Sequence, residues 1–89
     1  MTEEAIWRWQ EEMFIYSCYL YDKEDRPILS DEIFDQHCKM LSKRYDKLSE
    51  EFKSRVPKEQ LDASTALGLT YTDSDIAGAN AWYDRVMKK

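Results

Sequence analysis

The apolar residues between positions 34 and 52 recur at alternating steps of four and three. They are Phe34, Cys38, Leu41, Tyr45, Leu48 and Phe52. This spacing is the a/d pattern of a helix that packs along a narrow seam against another helix. Ser30 is a suitable N-cap and Val56-Pro57 a suitable end, so we predict a helix over about 31–54. Only 2 Gly and 2 Pro occur in 89 residues, which argues against a β fold with many tight turns.

Another helix is predicted over about 3–21, where Thr2 can cap the first turn and two acidic residues favour the positive end of the helix dipole. Its apolar residues form two stripes. One stripe holds Ile6, Trp9, Met13, Tyr16 and Leu20, and the other holds Trp7, Phe14, Cys18 and Tyr21. A single neighbouring helix would bury only one stripe. The other therefore predicts either a third packing element or a partner surface, including that of a homodimer.

A third helix is predicted over about 73–87, because Thr72 and Asp75 have the spacing of a capping box. The segment before it starts with a short turn at Pro57 and is otherwise irregular, with Gly68 as a turn residue. The loop that joins the first two helices is short, which favours antiparallel pairing. We therefore predict a single all-α domain over residues 1–89, an antiparallel helical hairpin followed by a third, C-terminal helix.

The chain is acidic, with 13 Lys and Arg against 18 Asp and Glu and a net charge of −5. Because nucleic acids are bound by basic surfaces, this balance argues against direct nucleic-acid binding. Acidic residues near the start argue against a signal peptide, and no apolar run approaches the roughly 20 residues of a membrane span. We therefore expect a cytoplasmic protein without membrane contact.

The residues that could carry chemistry are few. Cys18 and Cys38 lie within apolar helical patterns and are expected to be reduced and buried, with a disulfide between neighbouring helices as the alternative. His37 is the single histidine, and the sequence has no compact His/Cys set, so we predict no metal site. The sequence also has no nucleophile elbow and no phosphate-binding loop, and we expect a protein that is not an enzyme.

The loop end of the predicted hairpin carries a distinctive set of residues. It reads Tyr21, Asp25-Arg26-Pro27, Ser30-Asp31 and Phe34-Asp35. A planar ring could stack on Tyr21 or Phe34, and Asp31 and Asp35 could accept hydrogen bonds from ribose hydroxyls. Carboxylates near a helix start stay ionised, which suits binding better than proton donation.

These residues resemble, at the same spacing, the N-terminal helical subdomain of bacterial NAD-dependent DNA ligases, and the similarity covers about residues 10–55. In those ligases the subdomain binds the nicotinamide mononucleotide half of NAD. The resemblance therefore implies a site for nicotinamide mononucleotide or NAD, as a ligand rather than a required cofactor, formed by Tyr21, Asp22, Asp31, Phe34 and Asp35. In the family, His or Tyr usually stands at the position of Asp22, and Tyr at that of Phe34.

The sequence lacks the Lys-x-Asp-Gly motif to which those ligases attach AMP. The resemblance therefore implies a small, non-enzymatic accessory protein of DNA metabolism, of the kind carried by phages or mobile elements. An alternative is an acidic interaction protein that docks on and modulates a host enzyme or a DNA-binding protein. Its candidate anchors are the surplus aromatic residues Trp7, Trp9, Trp82 and Tyr83.

Overall fold

The computed structural model describes residues 2–25, 28–64 and 69–87, so Arg26, Pro27 and Gly68 lie outside the described residues. Within these ranges the chain is all-α, as predicted, and contains no strand. The helices are α1 (Glu3–Asp22), α2 (Asp31–Lys43), α3 (Glu50–Arg55), α4 (Lys58–Asp62) and α5 (Asp73–Met87), with a one-turn 3₁₀ helix (Tyr45–Lys47) between α2 and α3.

The predicted helix starts are confirmed by their caps. The Thr2 hydroxyl accepts a hydrogen bond from the Ala5 amide at 3.1 Å, and the Ser30 hydroxyl accepts one from the Ile33 amide at 3.2 Å. At the start of α5, the Asp75 amide donates to the Thr72 hydroxyl, and the Thr72 amide donates to the Asp75 carboxylate. Each cap satisfies backbone donors that the first turn of a helix leaves free.

The contacts between α1 and α2 show the predicted antiparallel hairpin. The Phe34 ring, near the start of α2, stacks on Phe14 with the ring centroids 5.6 Å apart. The Arg44 guanidinium, just after α2, lies over the ring of Trp7 at 4.9 Å. Later residues of α2 therefore meet earlier residues of α1, as antiparallel helices require.

The prediction of one continuous helix over 31–54 is wrong, because α2 ends at Lys43 and α3 begins only at Glu50. Two side chains stabilise the break. The Tyr45 hydroxyl donates to the Val56 carbonyl at 2.8 Å, and the Ser49 hydroxyl caps α3 by accepting from the Phe52 amide at 3.1 Å. These hydrogen bonds from polar side chains to the backbone compete with continuation of the helix.

The a/d residues remain in the core on both sides of the break. They form one core cluster with α1 and with residues around α4, comprising Phe14, Ile15, Cys18, Cys38, Leu41, Leu48, Phe52, Val56, Leu61 and Leu69. The half-buried Phe34 and Tyr45 pack against this cluster. Periodicity therefore predicted which side chains are buried, although it missed the change of backbone direction.

The helix α5 is the third packing element that the surplus stripe of α1 predicted. Leu20 is fully buried against Ala79, and the half-buried Tyr16 packs on the same cluster. Only the C-terminal half of the stripe is covered in this way. Ile6 and Trp9, in the N-terminal half, stay 42% and 51% exposed.

Candidate functional site

The hairpin places the five residues of the predicted nucleotide site at one end. Tyr21 and Asp22 lie in the last turn of α1, and Asp31, Phe34 and Asp35 lie in the first two turns of α2. Tyr21 is 50% exposed, and Asp31 is exposed as well. These two side chains are therefore accessible to a ligand at the loop end of the hairpin.

The other residues of the predicted nucleotide site have structural partners. The Phe34 ring stacks on Phe14 and packs against the core, so that face is not available to a ligand ring. The Asp35 carboxylate accepts a hydrogen bond from the Ser64 hydroxyl and pairs with Lys39 Nζ at 2.9 Å. These two partners hold the pKa of Asp35 below its usual value.

Asp22 is the fifth residue of the predicted nucleotide site, and its carboxylate lies 3.7 Å from Lys23 Nζ. Phe34 and Asp35 thus already have contacts that stabilise the fold, whereas Asp22 contacts only its neighbour in sequence. Nicotinamide nucleotide binding at this end of the hairpin stays a prediction.

A different feature of the hairpin is an uncharged groove between α1 and α2, with a volume of about 290 Å³. We call it the α1–α2 groove, and it is lined by Gln10, Met13, Leu29, Ile33, Gln36, His37 and Met40. Burial lowers the pKa of His37, so its imidazole is neutral at neutral pH. The described lining therefore carries no full charge, although charged residues make up 35% of the chain.

Large apolar side chains are exposed in this groove and on one of its two helices. Ile33, in the lining, is 52% exposed, and Trp9 and Ile6 are exposed on α1, the helix that supplies Gln10 and Met13 to the lining. Trp9 and Ile6 belong to the surplus stripe that the sequence predicted, whereas the contribution of α2 was not predicted. Ile33, His37 and Met40 have the spacing i, i+4, i+7, so a second helical face was visible in the sequence beside the a/d seam.

Of the predicted aromatic anchors, Trp9 is the one that remains largely free. Trp7 is half-buried under Arg44, and Trp82 is half-buried with its ring centroid 6.3 Å from that of Tyr16. Tyr83 is half-buried and packs on the cluster between α1 and α5. Trp9 therefore offers the most accessible aromatic surface of the four.

His37 provides a polar group at the base of the groove. Its side chain is buried, and its ring makes a hydrogen bond to the backbone of Gln10. Among the described residues, its other ring nitrogen, Nε2, is buried without a hydrogen-bond partner. In a neutral imidazole with one nitrogen donating, the second nitrogen is an acceptor. The groove thus contains a buried acceptor for which the fold supplies no donor.

A second cleft, of about 300 Å³, lies on the opposite side of α1 and is strongly charged. Its charged groups are largely paired with one another: Arg8 Nη2 lies 3.0 Å from the Glu11 carboxylate, and Arg55 Nη2 lies 2.6 Å from the Asp75 carboxylate. The first pair lies within α1, and the second connects α3 to α5. The paired charges of this cleft therefore serve the stability of the fold.

The two thiols, Cys18 and Cys38, are free and buried, as the sequence predicted. In the part of the chain that the structure describes, no group of three or more His, Cys, Asp or Glu residues could hold a metal ion. The described helices also include none with the length and apolar character needed to cross a membrane. No family model matches this chain, and no curated protein or solved structure matches it either.

Proposed function

We propose that this chain is a helical protein-binding module that contacts its partner through the α1–α2 groove and the exposed apolar side chains beside it. The observation that carries the proposal is an uncharged groove with Ile33 exposed in its lining and with Trp9 and Ile6 exposed on α1, one of its two helices. Contiguous exposed apolar surface in a small protein marks an interaction site, and large aromatic residues supply much of the binding energy at such sites.

The shape and composition of the groove favour an amphipathic helix as the bound element. Two antiparallel helices leave between them a furrow into which a third helix packs its apolar side chains. Met13 and Met40 line this furrow, and the flexible thioether side chains can adjust to the surface that they meet. Apart from His37, the lining consists of apolar and amide side chains, which suit binding, and we propose a non-enzymatic function.

This proposal can be tested by selecting displayed helical peptides on the immobilised protein. We expect the selected peptides to carry apolar anchors at i, i+3, i+4 and i+7 and to lose at least about tenfold in affinity for the variant Ile33→Glu. The matched control is Met87→Glu, because Met87 is similarly exposed but lies at the end of α5. Peptides that bind both variants equally well would contradict the proposal.

As a second candidate, we propose that the loop end of the hairpin binds a nicotinamide nucleotide. The accessibility of Tyr21 and Asp31 at the same end of the molecule supports it. An amide NMR titration with nicotinamide mononucleotide, NAD and AMP tests it. We expect shifts around Tyr21 and Asp31 with the first two ligands but not with AMP, and no such shifts in Asp31→Ala. The absence of shifts at millimolar ligand would leave the resemblance without a functional counterpart.

A further inference from the structure

We propose that the partner at the α1–α2 groove is a second copy of this chain, with the Trp9 side chain of each copy seated in the groove of the other. This inference rests on the proposed function, because it names the partner of the same surface. It describes an isologous dimer, in which one patch on each copy supplies both the inserted side chain and the site that receives it.

The inserted group and two residues of the receiving groove lie on the same helix, α1. Trp9 directly precedes Gln10 and lies one helical turn before Met13, and both of these residues line the groove. Trp9 itself is 51% exposed and does not line the groove of its own copy. A two-fold axis that passes near this face would therefore bring each indole opposite the groove of the other copy.

Electrostatics also favours contact through this groove. Each copy carries a net charge of −5, so two copies repel each other overall. The lining of the α1–α2 groove has no full charge in the described residues, and Gln10 and Gln36 are neutral. Contact through this lining therefore adds no repulsion between like charges within the lining itself.

The size of the groove also fits the inserted group. Its volume of about 290 Å³ lies at the lower end for ligand pockets and can receive one bulky side chain such as an indole.

In this dimer, α1 and α2 of the two copies form a bundle of four helices. The helix α5 limits the contact, because it covers Tyr16 and Leu20 in the C-terminal half of α1. The interface therefore contains the N-terminal half of α1 and the exposed face of α2. This arrangement buries Ile6, Trp9 and Ile33, the large apolar side chains that the single chain leaves in solvent beside the groove.

Sedimentation equilibrium over a concentration series tests the inference. We expect the unmodified chain to form a dimer, Trp9→Ser and Ile33→Glu to weaken it at least about tenfold, and the control Met87→Glu to leave it unchanged. Trp9 and Ile33 are both about half exposed, so these variants are expected to fold, which circular dichroism can verify. In NMR spectra, dilution should move the indole N–H signal of Trp9.

The outcomes separate this inference from the proposed function. A chain that is monomeric throughout but still binds groove-dependent helical peptides would overturn the dimer and leave the proposed function standing. A monomeric chain without such peptides would overturn both. A dimer that persists in Trp9→Ser and Ile33→Glu would place the contact elsewhere and overturn the inference.

Discussion

Gly78 lies where α5 approaches the ring of Tyr16 most closely. A Cβ atom added at Gly78 would lie 2.6 Å from Cζ of Tyr16, which is well inside the normal contact distance. The Tyr16 ring also packs beside Trp82, so moving it away from an added Cβ would disturb that contact. The missing side chain at position 78 is therefore what allows α5 to pack closely on α1.

We expect Gly78→Ala to destabilise the protein. Overpacking lowers the free energy of unfolding by about 1–3 kcal/mol, and the higher helix propensity of alanine offsets at most about 1 kcal/mol of this loss. The free energy of unfolding in urea measures the difference. In a Tyr16→Ala background the clash is removed, so Gly78→Ala should then stabilise the protein. Equal destabilisation in both backgrounds would show that the Tyr16 contact is not the cause.

At the scale of the helices, Glu11 connects α1 to the start of α3. It is a buried carboxylate, and it accepts hydrogen bonds from the Ser49 amide at 2.9 Å and the Ser49 hydroxyl at 2.7 Å. Arg8 Nη2 lies 3.0 Å from the same carboxylate. One side chain of α1 therefore holds the residue that caps α3 and ends the break after α2.

We expect Glu11→Ala to lower the free energy of unfolding by about 2–3 kcal/mol, because hydrogen bonds to a charged group are lost and the Ser49 amide loses its partner. Thermal and urea unfolding measure this loss. The control is Glu12→Ala at the neighbouring exposed position, for which we expect a change within about 0.5 kcal/mol. Similar effects of the two substitutions would contradict the role of Glu11.

The Arg55–Asp75 pair connects α3 to α5. Burial by itself would raise the pKa of Asp75, but hydrogen bonds from the Arg55 guanidinium and the Thr72 amide outweigh it and hold the pKa below the usual 3.8. As the pH falls, the unfolded chain therefore binds the proton first. The contribution of Asp75 to stability is present above pH 3.8 and is lost as the pH falls through the lower pKa of the folded state.

We expect Asp75→Asn to reduce the loss of stability on acidification. The difference in urea midpoint between neutral pH and about pH 3 should be smaller in this variant than in the unmodified chain. The lowered pKa values of Asp35 and Asp62 leave part of the loss in place. The control is Asp73→Asn, at an exposed position in the same helical turn. An unchanged acid response in Asp75→Asn would argue against the pair.

At the scale of the whole molecule, the two thiols can show whether the core unfolds as one cooperative unit. Cys18 on α1 and Cys38 on α2 are fully buried in the same cluster. Burial raises the pKa of Cys38 to about 11, and it raises that of Cys18 as well. Because the thiolate is the reactive form, both side chains should be inert in the folded protein.

We expect an aromatic disulfide reagent at about pH 8 to label these thiols only through unfolding. In increasing urea, the single-thiol variants Cys18→Ala and Cys38→Ala should each become labelled at their own unfolding midpoint, because one cooperative core covers both thiols. Circular dichroism on the same samples gives that midpoint. Labelling of either thiol well below it would reveal local opening of the hairpin.

The parts of the fold that were predictable depend on residues close together in sequence. Ser30 caps α2 and the Thr72–Asp75 pair caps α5 through hydrogen bonds that span three residues. The break after Lys43 was missed although the Ser49 cap also spans three residues, because the a/d pattern continues through the break and the Glu11 side chain that holds Ser49 lies 38 residues earlier in the chain. A periodic pattern contains no information about such a distant partner.

The candidate site likewise has parts that the sequence predicted and parts that it did not. The motif from Tyr21 to Asp35 could be read from the sequence, but the burial of Phe34 against Phe14 and the hydrogen bond from Ser64 to Asp35 could not. The α1–α2 groove was missed as a site, since its two walls lie on different helices. Only the α1 side, where Met13 belongs to the surplus stripe, was predicted from the sequence.

The sequence by itself determined the helical class, the capped helix starts and the side chains of the a/d seam, because periodicity and caps act over a few residues. The tertiary structure alone decided which part of the surplus stripe on α1 is buried. The helix α5 covers Leu20 but leaves Ile6 and Trp9 in solvent. Burial at each of these positions depends on which element packs there, and that element is distant in the chain.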